Sequence, residues 1–391
     1  MAAPGSLEAL RERNRALVLG ALRRAGTISR AELSRRTGLS RSTISTVVAD
    51  LVSAGIAAEG GTGVPEGVGR PGVPVTLNTT AGAAVGIDIG GAAGRVVLAD
   101  LGHNVLADGV FVLPPDPTLD ALFDAIADAV AVALATAGLP ARRVIGAGVA
   151  IPGPVDRATG RVGESSTIAS LAGVDLGRLL AHRLGVPVHV ENDANACAVA
   201  EAAWGAGTGA ADVVYLKLSR GIGAGLILDD RLYGGALGTA GEIGHTTRTA
   251  EGDLCRCGNR GCLETSAGID AIARRAGQPD IAAVIARAGE GDVASRRALR
   301  DAGSEVGQAA AMICNILNPR RIVIGGELAG AWPHLEASFR AALDRSAMHV
   351  AAAAAEVVPA ALGSRAEALG ALALVLRDGD RFTVEMIERT A

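Results

Sequence analysis

Residues 241–264 read GEIGHTTRTAEGDLCRCGNRGCLE and place three cysteines within eight residues. Together with His245, the residues Cys255, Cys257 and Cys262 supply one imidazole and three thiolates, a complete tetrahedral ligand set for Zn²⁺. Such a closed set is typical of structural zinc, because no coordination position stays open for water. The stretch therefore predicts one structural zinc ion, with free buried cysteines and a redox pair as the alternatives.

Two glutamates flank these ligands, Glu242 three residues before His245 and Glu264 two residues after Cys262. A loop fixed by zinc would hold both carboxylates and the imidazole rigidly. With the ENDAN stretch, residues 191–195, they form a ring of acceptors suited to sugar hydroxyls. The alternative is ordinary surface charge. A zinc-dependent hydrolase is disfavoured because the ligand set leaves no open position.

The segments around this loop alternate between β-branched runs that end in turn residues and helical runs rich in Ala and Leu, such as 119–137 and 298–317. This alternation predicts an α/β architecture in which function lies at the strand ends. The predicted strands are Ala84 to Gly90, Val144 to Pro152, Val188 to Asn192, Val213 to Leu218 and Ile322 to Gly326.

Three of these strands end in glycine-rich turns, which read DIGGAAG (88–94), SRGIGAG (219–225) and VIGGE (323–327). Backbone N–H groups in such turns can cradle phosphates across a cleft, although any single turn is more often a tight bend. Taken in this order, the turns resemble those of the actin-like sugar kinases. The candidate phosphate-binding residues are Asp88, Gly90, Gly221, Gly223, Gly325 and Gly326.

The N-terminal segment has the pattern of three short helices, the first over 7–25. Ser29 caps the second in a predicted capping box with Glu32, and Gly38 ends it. Ser40 caps the third, which Gly55 ends. A glycine-rich loop over 60–72 then precedes a short apolar run, which predicts an antiparallel hairpin, the wing of a winged helix-turn-helix.

The third helix presents short polar or cationic side chains near its N-terminus, where a recognition helix meets DNA. The candidate DNA contacts are Ser40, Arg41, Ser42, Thr43, Ser45 and Thr46, with Arg70 in the wing. Residues 1–78 contain 10 Arg against 6 Asp and Glu, whereas the whole chain has a formal net charge of −4. A basic module on an acidic body favours DNA as partner. A three-helix bundle for dimerisation or protein binding is the alternative.

Composition excludes several other classes of protein. Aromatic residues make up 2% of the chain, too few for rows of stacking rings as in single-strand nucleic-acid binders. The sequence lacks an apolar run of the roughly 18 residues that a membrane helix needs. Clustered cysteines favour a metal site in a reducing compartment over a disulfide framework. We therefore expect a cytoplasmic protein with no membrane partner.

GEIGH followed by CRCGNRGCLE, with the strand ends above, resembles the ROK family (repressors, open reading frames and kinases) over residues 83–373. The preceding module resembles the winged helix of the family's xylose- and N-acetylglucosamine-type repressors. The resemblance implies an actin-like (ribonuclease H-like), two-lobed sugar-kinase fold. The implied domains are 1–78 for DNA binding, 79–196 for the first lobe and 197–391 for the second lobe, with a C-terminal helix returning to the first.

The resemblance also implies roles for single residues. Zinc would bind His245, Cys255, Cys257 and Cys262, with His245 using its second ring nitrogen on the sugar. Asp193 would be the general base in members that phosphorylate sugars. The implied sugar contacts are Gly153, Asn192, Asp193, Glu242, His245 and Glu264.

Departures from the family pattern bear on activity. Kinases of the family carry DIGGTK at the first turn, where this chain has Ala92 and Ala93. Ser219 and Arg220 occupy the second turn in place of a small Gly-Thr pair, and Thr167 and Leu171 stand where many members have an Asn and a Trp above the sugar. Since phosphoryl transfer depends on positioning and charge at the phosphates, we do not expect ATP and Mg²⁺ as cofactors.

The sequence therefore predicts a sugar-responsive transcriptional regulator, a repressor of carbohydrate metabolism genes. Its expected partners are a palindromic operator, a small sugar or sugar phosphate, and further copies of itself in a homodimer or dimer of dimers. The alternative is a working sugar kinase with an attached DNA-binding domain, which the retained Asp193 favours.

Overall fold

The computed structural model describes residues 7–60, 73–91, 93–113, 117–163 and 168–377. The N-terminal module contains three helices and a three-stranded antiparallel sheet in the order β1-β3-β2. Its elements are α1 (Leu7–Ala25), β1 (Thr27–Ser29), α2 (Arg30–Thr37), α3 (Arg41–Ser53), β2 (Ala57–Glu59) and β3 (Pro74–Leu77). β2 and β3 form the predicted hairpin, while its loop and Arg70 lie outside the described residues.

Local capping explains these helix boundaries. The Ser29 hydroxyl accepts from the Glu32 N–H at 3.2 Å, and Ser40 accepts from the Thr43 N–H at 3.1 Å, so each satisfies a free donor of its helix. Glu32 does not close the predicted capping box, since its carboxylate is paired with Arg35 and Arg36 instead. The winged helix-turn-helix fold is confirmed, with that one local correction.

The first lobe has a five-stranded sheet in the order β10-β7-β4-β5-β6. The strands β10, β7 and β4 are parallel, and the pairs β4–β5 and β5–β6 are antiparallel. Its elements are β4 (Ala83–Ile89), β5 (Ala93–Asp100), β6 (Val105–Val112), α4 (Leu119–Ala137), β7 (Val144–Ile151), β8 (Val155–Asp156), β9 (Arg161–Val162), α5 (Leu176–Leu184), β10 (Val188–Asn192) and α6 (Asp193–Trp204). β8 and β9 pair separately.

The second lobe repeats this arrangement in the order β13-β12-β11-β14-β15, antiparallel at one side and parallel at the other. Its elements are β11 (Val213–Leu218), β12 (Ile222–Leu228), β13 (Arg231–Leu232), α7 (Leu263–Ala267), α8 (Ile269–Ala276), α9 (Ile281–Gly289), α10 (Val293–Leu317), β14 (Arg321–Gly325), α11 (Trp332–Ser346), α12 (His349–Ala354), β15 (Glu356–Pro359) and α13 (Ala366–Arg377). Two lobes with one sheet topology confirm the predicted actin-like α/β fold.

Helices α6 and α13 join the two lobes. α13 lies on the first sheet, so close that a Cβ on Gly86 would stand 2.0 Å from the Ala368 carbonyl oxygen. α6 lies equally close to β12, and Gly370 of α13 packs directly on Ala196 of α6. The predicted boundary between residues 196 and 197 falls within α6.

The DNA-binding module is docked on the first lobe. Its core residues Val18 and Leu22 share one apolar cluster with Leu376 near the C-terminal end of α13, and Trp204 at the end of α6 packs against that cluster. The Arg23 side chain also donates to the Leu101 carbonyl oxygen at 3.0 Å. The module therefore packs on the first lobe through an apolar cluster that also includes the C-terminal end of α13.

A membrane-spanning helix is absent from the described part of the chain, where none combines the length and the hydropathy that crossing requires.

Candidate functional site

The edge of the first sheet positions the residues of the ENDAN stretch. β7 and β10 are parallel neighbours with Ile151 opposite Asn192, so Gly153 and Asn192 follow at the same edge. The Asn192 amide donates to the Gly153 carbonyl oxygen at 3.0 Å and accepts from two backbone N–H groups of α6. Asn192 thus caps α6 and places Asp193 in its first turn.

Asp193 is held by a lysine that the sequence analysis did not single out. Lys217, on β11, donates to Asp193 at 2.8 Å and to Glu367, in the first turn of α13, also at 2.8 Å. Burial opposes the positive charge, but Asp193 and Glu367 outweigh it and raise the pKa of Lys217 well above its ordinary value. Lys217 is the only lysine among 391 residues, which was the signal available in the sequence.

Asp88, at the end of β4, adds a third carboxylate to this group. Burial raises the pKa of Asp88 to about 7, the negative charge of Glu367 adds to the shift, and Lys217 opposes it. Three carboxylates and one ammonium therefore interact where β4, β11, α6 and α13 meet, between the lobes.

The residues predicted to bind zinc lie together. The ligand atoms of His245, Cys255, Cys257 and Cys262 all fall within 4.8 Å of one another. The Sγ atoms of Cys257 and Cys262 are 3.6 Å apart, and Cys255 Sγ is 3.5 Å from His245 Nδ1. With Zn–S bonds near 2.3 Å, the edge of a tetrahedral site is about 3.8 Å, so the four donors fit zinc.

The same loop carries the predicted sugar-binding side chains. While Nδ1 of His245 faces the cysteines, its Nε2 lies 3.7 Å from a Glu242 carboxylate oxygen. Burial raises the pKa of Glu242 to about 7, and the nearby charge of Asp193 adds to the shift. Glu264 accepts from the Ile222 N–H at 3.1 Å and from Arg256 at 2.9 Å. The structure therefore brings Asp193, Glu242, His245 and Glu264 into one neighbourhood.

Close neighbours or backbone conformation explain three of the glycines in the predicted phosphate turns structurally. A Cβ on Gly325 would lie 1.9 Å from the Tyr215 hydroxyl, and one on Gly90 would lie 2.6 Å from the Ala93 carbonyl oxygen. Gly326 has a φ of +82°, and Cβ atoms on Gly221 and Gly223 would meet Arg256 at 3.2 Å and Ala194 at 3.5 Å. Packing or a positive φ thus accounts for Gly90, Gly325 and Gly326, whereas the contacts at Gly221 and Gly223 would tolerate a Cβ.

Of the departures from the kinase pattern, Ala93 is exposed at the start of β5, and Ala92 and Thr167 lie outside the described residues. Leu171 is fully buried in the core of the first lobe. Its side chain packs in that core.

An open cavity of about 580 Å³ lies beside the zinc-ligand loop. Three arginines line it, and each is paired with a carboxylate, Arg220 with Asp270, Arg256 with Glu264 and Arg274 with Asp253. The pairing neutralises the cations, so the cavity is not a strongly basic anion site.

The predicted DNA-contact face of α3 points away from the core of the module. Ile44, Val47, Val48 and Leu51 face the module's core, whereas the polar face is exposed or, at Thr43, half-buried. The exposed residues on that face are Ser40, Arg41, Ser42, Ser45 and Thr46.

Comparison with known proteins matches both parts of the chain. A model described as "ROK family" matches residues 84–378, and one described as "MarR family" matches residues 12–62. The xylose repressor of Bacillus spizizenii is 31% identical over 371 residues, which cover 93% of this chain and 94% of that protein. The regulator NagC of Escherichia coli is 28% identical over 387 residues, covering 95% and 94%.

Solved structures similar to this chain include both a transcriptional regulator and a sugar kinase. A ROK family transcriptional regulator, described as a homologue of the E. coli MLC protein, has a TM-score of 0.84 at 27% identity and covers 97% of this chain and 99% of its own. A ROK family glucokinase from Streptomyces griseus, solved with glucose and AMPPNP, has a TM-score of 0.65 at 29% identity and covers 75% and 99%.

Proposed function

This chain belongs to the ROK family, and from that premise we propose that it is a sugar-responsive DNA-binding transcriptional regulator, a repressor of carbohydrate metabolism genes. The observation that carries the proposal is the exposed polar face of α3 on a module whose apolar cluster continues into α6 and α13. The N-terminal ends of those two helices hold Asp193 and Glu367 in the cleft. The same two helices thus contribute residues to the proposed sensing site and to the apolar cluster shared with the DNA-binding module.

The DNA-binding domain is residues 1–78, and the lobes are 79–196 and 197–391. Its ligand is a palindromic operator, read by two α3 helices from a homodimer or dimer of dimers with half-sites about 34 Å apart. The DNA contacts are Ser40, Arg41, Ser42, Thr43, Ser45 and Thr46, with Arg70 in the wing.

The effector is a small sugar or sugar phosphate. Its hydroxyls need several fixed acceptors, and the cleft supplies them from both lobes around a rigid loop. The contacts are Gly153, Asn192, Asp193, Glu242, His245 and Glu264.

The His245–Cys255–Cys257–Cys262 set holds one structural zinc ion. Four protein donors close the coordination sphere, so the ion would fix the loop and do no chemistry. Burial lowers the pKa of His245, which favours the neutral imidazole that metal binding needs.

The kinase alternative rests on the retained Asp193, but that carboxylate is ion-paired with Lys217.

The test is binding of the full chain to DNA selected from a random duplex pool. We expect Arg41→Ala and Ser42→Ala to weaken binding by about 1–3 kcal/mol each, as lost base or phosphate contacts do. Arg297→Ala, an exposed arginine on α10, is the matched control and should bind as the unaltered chain does. Selected DNA that the α3 variants bind at full strength would refute the proposal.

A further inference from the structure

The floor of the cleft contains a cation that belongs to the chain itself. Asp88 comes from β4, Asp193 from α6 and Glu367 from α13, and Lys217 reaches them from β11 of the other lobe. The ammonium makes 2.8 Å hydrogen bonds to Asp193 and Glu367, and these three side chains are only 15–16% exposed. The charge is therefore held between the lobes and shielded from solvent.

Converging carboxylates are the ligands that hard divalent cations prefer, and phosphoryl transfer from ATP needs Mg²⁺ beside the phosphates. In this chain a cation placed between Asp193 and Glu367 would have to displace the Lys217 Nζ, which already bonds to both. The residues therefore do not fit a metal–nucleotide complex, although a similar glucokinase was solved with AMPPNP.

The choice of residue supports this interpretation. The chain has 36 arginines and one lysine, and the lysine is placed where a compact charge is needed. An ammonium is a point charge with three donors that can replace a small ion between two carboxylates, whereas a planar guanidinium is larger and directs its donors in a fixed fork.

We infer that Lys217 is a specificity-determining residue whose tethered ammonium takes the place of a divalent cation and so excludes a metal–nucleotide complex from the cleft. The inference goes beyond the proposed function, because it concerns what the cleft rejects and not what it senses. It also gives a reason to expect no phosphoryl transfer from ATP that is independent of the alanines in the first turn.

The test is a Mn²⁺ titration of the zinc-loaded full chain, followed by the electron paramagnetic resonance signal of free Mn²⁺, since this ion favours oxygen ligands over the cysteine cluster. Lys217→Met should gain one Mn²⁺ site at least tenfold tighter than any in the unaltered chain. Adding Glu367→Gln to that variant should remove the gain. If a folded Lys217→Met binds Mn²⁺ no more tightly than the unaltered chain does, the inference is overturned.

A second measurement needs no variant. Protein labelled with side-chain ¹⁵N-lysine should give one ammonium signal, because the sequence has one lysine. We expect that signal to stay sharp in millimolar Mn²⁺. Selective paramagnetic broadening would show a divalent cation beside Lys217 and contradict the inference. Neither experiment involves DNA, so a failure of operator binding would refute the proposed function and leave these results unaffected.

Discussion

Asp88 is the residue whose protonation should be most visible in the stability of the protein. Burial raises its pKa to about 7 from an ordinary value of 3.8, and the charges of Glu367 and Asp193 contribute in the same direction. Between these two pH values the folded chain binds more protons at Asp88 than the unfolded chain. The contribution of this group is therefore present at low pH and is lost as the pH rises through about 7.

We accordingly expect Asp88→Asn to flatten the decline of the free energy of unfolding between about pH 4 and pH 7. An amide cannot ionise, so the variant should gain stability relative to the unaltered chain as the pH rises. Urea unfolding at several pH values measures the difference. Asp120→Asn, in the first turn of α4, is the control. Parallel pH profiles for the unaltered chain and Asp88→Asn would refute the assignment.

At the scale of elements, the proposed zinc ion would add a constraint to the loop from residue 241 to 264, which backbone hydrogen bonds also hold. Only glycine fits at position 261, because a Cβ there would lie 1.7 Å from the Thr249 carbonyl oxygen. Removing one thiolate should leave an incomplete coordination sphere. The loop would then lose the constraint that holds Glu242 and Glu264 near Asp193.

We expect the purified chain to hold one zinc ion and Cys257→Ser to bind zinc at least about tenfold more weakly, the loss that even an outer-sphere change produces. Competition with a chelator, followed by metal analysis, gives the affinity. Cys314→Ser, a buried cysteine on α10 outside the cluster, should keep full occupancy. Less than about half an equivalent of zinc in the undamaged chain would exclude a high-affinity site.

At the scale of the whole molecule, α6 and α13 would connect the proposed sugar site to the DNA-binding module. Each has 12 residues and so is about 18 Å long, with an acidic first turn at the proposed site and apolar residues in the cluster shared with the module. A sugar that contacts both lobes would stabilise one lobe arrangement by its differential affinity. Movement of the lobes would then shift the α3 helices of a dimer relative to their half-sites.

The cognate sugar, identified by thermal shift over a panel of saccharides, should therefore change operator affinity, in the direction of release, by about 1–3 kcal/mol. Asp193→Asn should lose this response and keep operator binding in the absence of sugar. Asp120→Asn should respond normally. Fluorescence anisotropy with labelled operator, with and without sugar, decides between these outcomes. A normal sugar response in Asp193→Asn would place the effector site elsewhere.

Local sequence patterns were enough to predict the ends of several helices and the cysteine cluster. Helix α4 begins and ends where its pattern predicted, and Ser29 and Ser40 cap α2 and α3, because capping and periodicity depend on residues a few positions apart. The donors around Cys255 could also be found, since they lie within 18 residues of one chain segment.

Only the tertiary structure decided how the cleft is neutralised. Lys217 is 24 residues from Asp193 and 150 from Glu367, and no local pattern links them. Their ion pairs exist because two separate sheets and the crossing of α6 and α13 bring three chain segments to one point. Burial of Leu171 likewise follows from packing in the first lobe and not from its neighbours in sequence. Electrostatic contacts between distant segments depend on the assembled lobes, and local sequence carries little of that information.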